Sequence, residues 1–286
     1  MNILANDGLS NSGINALKDA GFNVITDKVE QANLIEYINT NSVEVILVRS
    51  ATQVRKDIID QCSSLKIIGR GGVGMDNIDV DYARDKGILV INTPAASSQS
   101  VAELVMAHLF NISRFVYDSN RNMPTEGNTS FKVLKKKYAK GSELRGKTLG
   151  VIGFGRIGQF TAKYALGNGM KVVAFDPFLP EVTLSIDIAD KKVDITIKTT
   201  DLETLLKNSD YISMHVPMPA DKKPIISKPE FDLMKEGVKI VNAARGGVID
   251  EDDLIEAVNN GKVGAVALDV FAVSYTHLRA HETLNH

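Results

Sequence analysis

Cysteine is all but missing: Cys62 is the single one in 286 residues. One thiol excludes an internal disulfide and any cysteine-based metal cluster, so no metal site is expected and a reducing cytoplasm is the expected setting. Cys62 itself reads as a small side chain at a helix end. Net charge is nearly absent too, at −2 from 33 basic and 35 acidic residues. That balance gives no electrostatic grip on nucleic acid or on an anionic membrane. Apolar runs are short, and none approaches the ~20 residues that span a bilayer. The opening MNILANDGLS lacks the basic start and long apolar core of a secretory signal. What is present is ordinary for a globular protein: 44% hydrophobic and 24% charged residues, over a length that suits two domains.

Strand and helix patterns alternate along the chain. In the first part, Asn2–Leu4, Val24–Thr26, Val43–Val48, Leu65–Ile68 and Ile88–Asn92 read as strands, with helical periodicity over Ile14–Ala20 and Leu34–Asn39. Such alternation over short loops predicts an α/β fold with a parallel sheet covered on both faces. Thr93-Pro94 ends this region. Ser100-Val101-Ala102-Glu103 then has capping-box spacing. Val101, Leu104, Val105, Leu109, Ile112 and Val116 recur at helical intervals, so a long helix is expected from Val101. His108 lies near its apolar face and reads as a packed or interface histidine. Residues 118–145 read as polar and irregular. Lys132, Lys135, Lys136, Lys137 and Lys140 would form a solvated basic face, with a subunit contact as the alternative. Beyond Lys147 the alternation returns, with strands expected at Leu149–Ile152, Lys171–Phe175, Val193–Ile197, Tyr211–His215, Lys239–Asn242 and Gly264–Leu268. Helices between them include Gln159–Leu166, Leu202–Leu206 and Asp252–Asn259. The whole reads as two doubly wound parallel-sheet domains.

The second domain carries a specific signal, Gly153-x-Gly155-x-x-Gly158, placed between a strand and a helix. Gly153 permits the tight turn, Gly155 lets a pyrophosphate approach the backbone, and Gly158 lets the helix lie close to the strands. The helix N-terminus offers N–H groups and partial positive charge, and Arg156 stands at that end. Eighteen residues past Gly158 the next strand ends at Asp176, whose carboxylate can accept both ribose hydroxyls and would repel a 2′-phosphate. NAD is therefore favoured over NADP. Gly69-Arg70-Gly71-Gly72-Val73-Gly74 has the same spacing. There the following strand ends at Asn92, no acid, and Met75-Asp76-Asn77 are turn formers, so that loop is of another kind. Ligands of a doubly wound sheet sit at the carboxyl ends of its strands. Those ends hold Gly153–Gly158, Asp176, His215-Val216-Pro217, Ala243–Arg245 and Asp269. Arg245 is suited to a two-pronged grip on a carboxylate.

VRSAT (48–52), IGRGGVGMDNID (68–79), GILVINTP (87–94), SVAELVMAHL (100–109) and ELRGKTLGVIGFGRIG (143–158) occur in this order. FDP (175–177), SMHVP (213–217), VNAARGGVIDEDDL (241–254) and GAVALDVF (264–271) follow. Together, over about residues 40–271, they resemble the D-isomer-specific 2-hydroxyacid dehydrogenases, and most closely those acting on 3-phosphoglycerate. The resemblance implies a substrate-binding, flavodoxin-like domain at 1–96 and a Rossmann NAD-binding domain at 97–272. It implies hydride transfer from C2 of a small anionic hydroxy acid to NAD, here 3-phosphoglycerate to 3-phosphohydroxypyruvate, the entry to serine synthesis. Backbone N–H groups of Gly72 and Val73 would hold the substrate carboxylate. Arg49, with Ser50 beside it, and Arg70 would pair with the phosphate. Arg245 would bind the carboxylate and polarise the C2 oxygen. Arg156 and Ile157 would meet the pyrophosphate through their backbone, next to Gly153, Gly155 and Gly158. Val216, Pro217, Ala243, Ala244 and Asp269 would line the nicotinamide side. The helix from Val101 resembles a dimer-forming segment, so a homodimer is implied.

Two features depart from that family. Its proton-accepting histidine, in a Thr-Pro-His motif, has no counterpart, and Ser274 stands where its partner glutamate is expected. The residues 273–286, VSYTHLRAHETLNH, match nothing in the family and read as a non-native tail joined to a truncated gene. His277 or His281 with Glu282 could replace the lost pair only if that tail were functional. The expectation is a chain that retains the cofactor clamp and turns over little. The alternatives are another D-2-hydroxy acid as substrate, or an NAD(H)-sensing binding protein akin to the corepressors of the superfamily.

Overall fold

The computed structural model describes residues 1–219 and 221–272. The chain divides into two units, Met1–Ser97 and the part from Ser98 onward. In the first, apolar runs between turn formers give β1 (Asn2–Ala5), α1 (Asn11–Asp19), β2 (Asn23–Ile25), α2 (Leu34–Thr40) and β3 (Val45–Val48). α3 (Lys56–Gln61), β4 (Ile67–Arg70), α4 (Val80–Asp85) and β5 (Leu89–Asn92) complete it. All pairings are parallel, in the order β2-β1-β3-β4-β5. This is a doubly wound order whose crevice opens between β1 and β3, where the winding reverses. Leu4, Ile46 and Ile68 are fully buried in the strands, packed with Leu34, Ile38 and Ile58 from the helices. β3 and β4 begin at Val45 and Ile67, not at Val43 and Leu65. The earlier residues spend their N–H groups on turns, to Ile38 and Cys62 carbonyls respectively. Cys62 does end a helix, buried, and burial pushes its thiol up to about 11.

The second unit opens with α5 (Ser98–Arg114) and α6 (Val116–Tyr138), followed by β6 (Thr148–Ile152), α7 (Arg156–Gly167) and β7 (Lys171–Phe175). Then come β8 (Glu181–Ile188), β9 (Lys191–Lys198), α8 (Leu202–Asn208), β10 (Tyr211–Met214), α9 (Lys228–Leu233), β11 (Val238–Asn242), α10 (Glu251–Asn259) and β12 (Val263–Leu268). The parallel sheet runs β12-β11-β10-β6-β7. Alternation along the strands feeds two cores. Leu149 and Val151 pack with α5 and α7 residues such as Val105, Leu109 and Ala162, while Ile152, Ile212 and Ile240 pack with Leu205, Phe231 and Leu254 of the opposite helices. No helix among the described residues is long and apolar enough to cross a membrane.

Three expectations give way. Val193–Ile197 does not join the parallel sheet. It lies in β9, which pairs antiparallel with β8 across a two-residue turn, from Glu181↔Lys198 to Ile188↔Lys191. Period-two alternation marks a strand but not its partner; just past the hairpin, Thr199 makes an isolated parallel bridge to Ala174 of β7. Residues 118–145 are not irregular, because most of them are helical in α6. Asp118 and Lys137 pair at 2.7 Å, although 19 residues of straight helix would part them by about 28 Å. The helix therefore folds back, at Ser130, whose φ of −121° and ψ of 17° leave the helical range. Tyr138 seals the return by donating its hydroxyl to the Asp118 carbonyl at 3.2 Å. Ser100 and Glu103 form no capping box, since α5 starts at Ser98 and both lie, exposed, within its first turns rather than at its cap. The box forms instead at Ser227 and Glu230, ahead of α9.

Candidate functional site

β6 delivers the chain into the glycine turn. Gly153 has φ +91°, and a Cβ there would stand 2.6 Å from the His215 carbonyl. A Cβ on Gly158 would collide with the Gly153 carbonyl, so α7 can seat itself against the turn only through glycine. At Gly155, which caps α7, a Cβ would meet nothing within 4 Å. The backbone faces open space at the position where a pyrophosphate would approach, and among the described residues no side chain caps the N–H groups that follow at Arg156 and Ile157. Phe154 is fully buried beneath the turn. Asp176 ends β7 and reaches back. One carboxylate oxygen accepts from the Phe154 N–H at 2.8 Å and the other from the Phe178 N–H at 2.9 Å. Both oxygens keep further lone pairs for ribose hydroxyls.

β10 sits beside β6, and its end supplies His215, Val216 and Pro217. The Val216 side chain lies against Gly153. His215 Nε2 is 2.8 Å from the Ser213 hydroxyl, and burial pulls its imidazole down to about 3. It is neutral at physiological pH. Beyond β11, Asn242 was not singled out by sequence, yet it builds the Arg245 turn. Its Oδ1 accepts from the Ala244 N–H at 3.0 Å and its Nδ2 donates to the Arg245 carbonyl at 3.0 Å. Ala243, Ala244 and Arg245 are thus held at the strand end, with the Arg245 guanidinium donating to the Ala244 carbonyl. Asp269 donates its N–H to the Asn242 carbonyl at 2.9 Å. Burial raises its carboxyl, and the nearby His108 works in the opposite direction. His108 is packed as expected. Its Nε2 is buried with no hydrogen-bond partner among the described residues, and burial lowers its pKa.

The first unit has its own site. A cavity of about 790 Å³ opens at the carboxyl ends of its strands, lined by Asp7, Ser10, Arg49, Arg70 and Asn92 among others. Arg49 follows β3 and Arg70 ends the neighbouring β4, so parallel pairing alone brings both arginines to one rim. Arg49 and Ser50 are exposed and Arg70 half-buried. Gly72 is less available than its expected role asks, because its N–H donates to the Arg70 carbonyl at 3.0 Å. Val73 is pinned through its carbonyl, which accepts from Asn92 Nδ2 at 2.7 Å. Ser274, His277, His281 and Glu282 lie outside the described residues.

Known proteins match both units. The family described as D-isomer specific 2-hydroxyacid dehydrogenase, NAD binding domain, covers residues 106–284, and so runs through most of 273–286, against the expectation that this segment matches nothing in the family. A hydroxypyruvate reductase of Thermotoga maritima is 47% identical over 250 residues, spanning 87% of this chain and 76% of that protein. A D-3-phosphoglycerate dehydrogenase of Methanocaldococcus jannaschii is 43% identical over 272 residues, spanning 94% of this chain and 48% of that protein. The chain thus spans about half the length of that relative. Among solved structures, a D-lactate dehydrogenase of Aquifex aeolicus complexed with NAD and lactic acid aligns with a TM-score of 0.69 at 29% identity. That alignment covers 99% of this chain and 83% of the other.

Proposed function

The chain belongs to the D-isomer-specific 2-hydroxyacid dehydrogenases, an NAD-dependent family, and from that premise we propose that it oxidises 3-phosphoglycerate at C2 in the cytoplasm. NAD, when bound, supplies the hydride acceptor. The chain's own residues bind and orient. Gly153, Gly155 and Gly158 make room for the pyrophosphate, the N–H groups of Arg156 and Ile157 face it, and Asp176 takes the ribose. Val216, Pro217, Ala243, Ala244 and Asp269 border the nicotinamide side. In the second unit Arg245 is suited to grip a carboxylate and polarise the C2 oxygen; in the first, the N–H of Val73 and, once its internal bond opens, of Gly72 are suited to a carboxylate. Arg49, Ser50 and Arg70 take the phosphate.

The pair of arginines on one strand-end rim carries the phosphate assignment. A dianion with fork-shaped acceptors is the ligand that two guanidinium groups suit best. Arg49→Ala should weaken 3-phosphoglycerate binding tenfold or more and glycerate binding far less. Equal losses on both ligands would sink the assignment.

The proton step is the weak link. Of the histidines among the described residues, His215 at about 3 is too weak a base near neutral pH, and the Nε2 of His108 is buried. We expect slow turnover from the 286-residue chain. A steady-state assay with 3-phosphoglycerate and NAD checks this, and rates matching a full-length relative would refute it. We further propose a homodimer through α5 and α6, which leave Leu104, Phe110, Val116, Phe131 and Val133 exposed. Sedimentation showing a monomer at micromolar concentrations would count against it.

A further inference from the structure

The segment Arg49–Thr52 has no regular structure of its own, yet its two ends are clamped by side chains from distant parts of the first unit. From one side, Asp7 accepts the Arg49 N–H at 2.6 Å and the Thr52 N–H at 3.1 Å on one oxygen, and the Thr52 hydroxyl at 2.6 Å on the other. From the other side, Asn77 Nδ2 donates to the Arg49 carbonyl at 2.8 Å and to the Thr52 carbonyl at 2.6 Å. Carbonyls only accept, so the amide orientation follows from chemistry: the NH₂ must face them. The Asn77 oxygen is then turned toward Arg70, whose Nε donates to it at 3.4 Å. Asn77 is 5% exposed. Its own backbone is fixed, with its carbonyl accepting from Val54 and Ile78 bridged to Val54. One buried amide thus holds Arg49 by its main chain and Arg70 by its side chain.

We propose that Asn77 is a positioning residue that sets the spacing of Arg49 and Arg70 and so tunes the first unit to a phosphorylated hydroxy acid. Two guanidinium groups repel each other, and a dianion is gripped by both only if the scaffold holds them at its span. The inference rests on the phosphate reading above.

The test is calorimetric titration of the full chain with 3-phosphoglycerate and with glycerate, which needs no turnover. Asn77→Asp sets a second oxygen against two carbonyls and should weaken 3-phosphoglycerate binding about tenfold, with glycerate changed less than threefold. Asn77→Ser keeps one donor and should fall between, and it decides the matter if Asn77→Asp does not fold. Because Asn77 acts through Arg49, the Asn77→Asp/Arg49→Ala double variant should lose less than the product of the single losses. Unchanged amide exchange across β1–β5 reports intact folding of the first unit. Equal losses on both ligands, fully multiplying losses, or undiminished 3-phosphoglycerate binding would overturn the inference. A wild-type chain that binds glycerate as well as 3-phosphoglycerate, or binds neither, would instead refute the phosphate reading, and the inference with it.

Discussion

Glycine chemistry at the clamp separates binding from folding. Gly155→Ala adds a methyl group into open space at φ −70°, a conformation alanine adopts freely. The expected outcome is a melting temperature within a few degrees of wild type, since an N-cap change of this kind costs about 1 kcal/mol or less, with NAD affinity lowered tenfold or more. Gly158→Ala should do the reverse first, destabilising the unit because the added carbon meets backbone that cannot yield. Fluorescence titration with NADH alongside thermal melts distinguishes the two. His215 gives a pH signature. Its folded pKa, about 3, lies below the unfolded value near 6.5. The unfolded chain binds the extra proton between those limits, so stability present at neutral pH is lost as pH falls from about 6.5 toward 3. His215→Gln should flatten the fall in melting temperature between pH 7 and 4.5, and parallel slopes would contradict this. The residues of the clamp were legible because the glycine spacing and the acid lie close together in sequence. Asp7, Asn77 and Asn242 were not, because a polar side chain's partner is chosen by the fold. Asp7 reaches Thr52, 45 positions away, and Asn77 reaches Arg49, 28 positions away.

At the scale of elements, β–α alternation was readable wherever a strand is buried on both faces and bounded by turn formers. It failed where context outweighs pattern. The β8–β9 hairpin has the alternation of any half-covered strand, and only packing of Leu184 and Ile197 against the core beside α7 says where it goes. α6 contains Pro124 and Gly127, poor helix residues, and is held by its fold-back contacts around Leu134, Asp118 and Lys137. The hairpin turn has a cost of its own: Ala189 sits at φ +54°, in the left-handed region. Ala189→Gly should stabilise the hairpin by about 1 kcal/mol, seen as slower amide exchange in β8 and β9. Faster exchange would show that the loss of glycine's flexibility on folding outweighs the relieved strain.

For the whole molecule, the proposed function gives the two units different jobs. NAD should act on the second alone. At a hundredfold excess over its Kd, it should add about 2.7 kcal/mol to the stability of the state it binds. Hydrogen exchange should then slow across β6, α7 and β7 and stay unchanged in β1–β5. Uniform slowing across both units would mean that they unfold as one.

The buried thiol at the end of α3 has a practical use. With its pKa raised to about 11, Cys62 is scarcely ionised under labelling conditions. Every cysteine placed on the surface by mutation would then be the sole reactive one, with no background to remove. Phe178, 88% exposed and two residues past the carboxylate of Asp176, is a natural attachment point for a dye. A single substitution would turn the chain into an optical reporter of its own nucleotide occupancy.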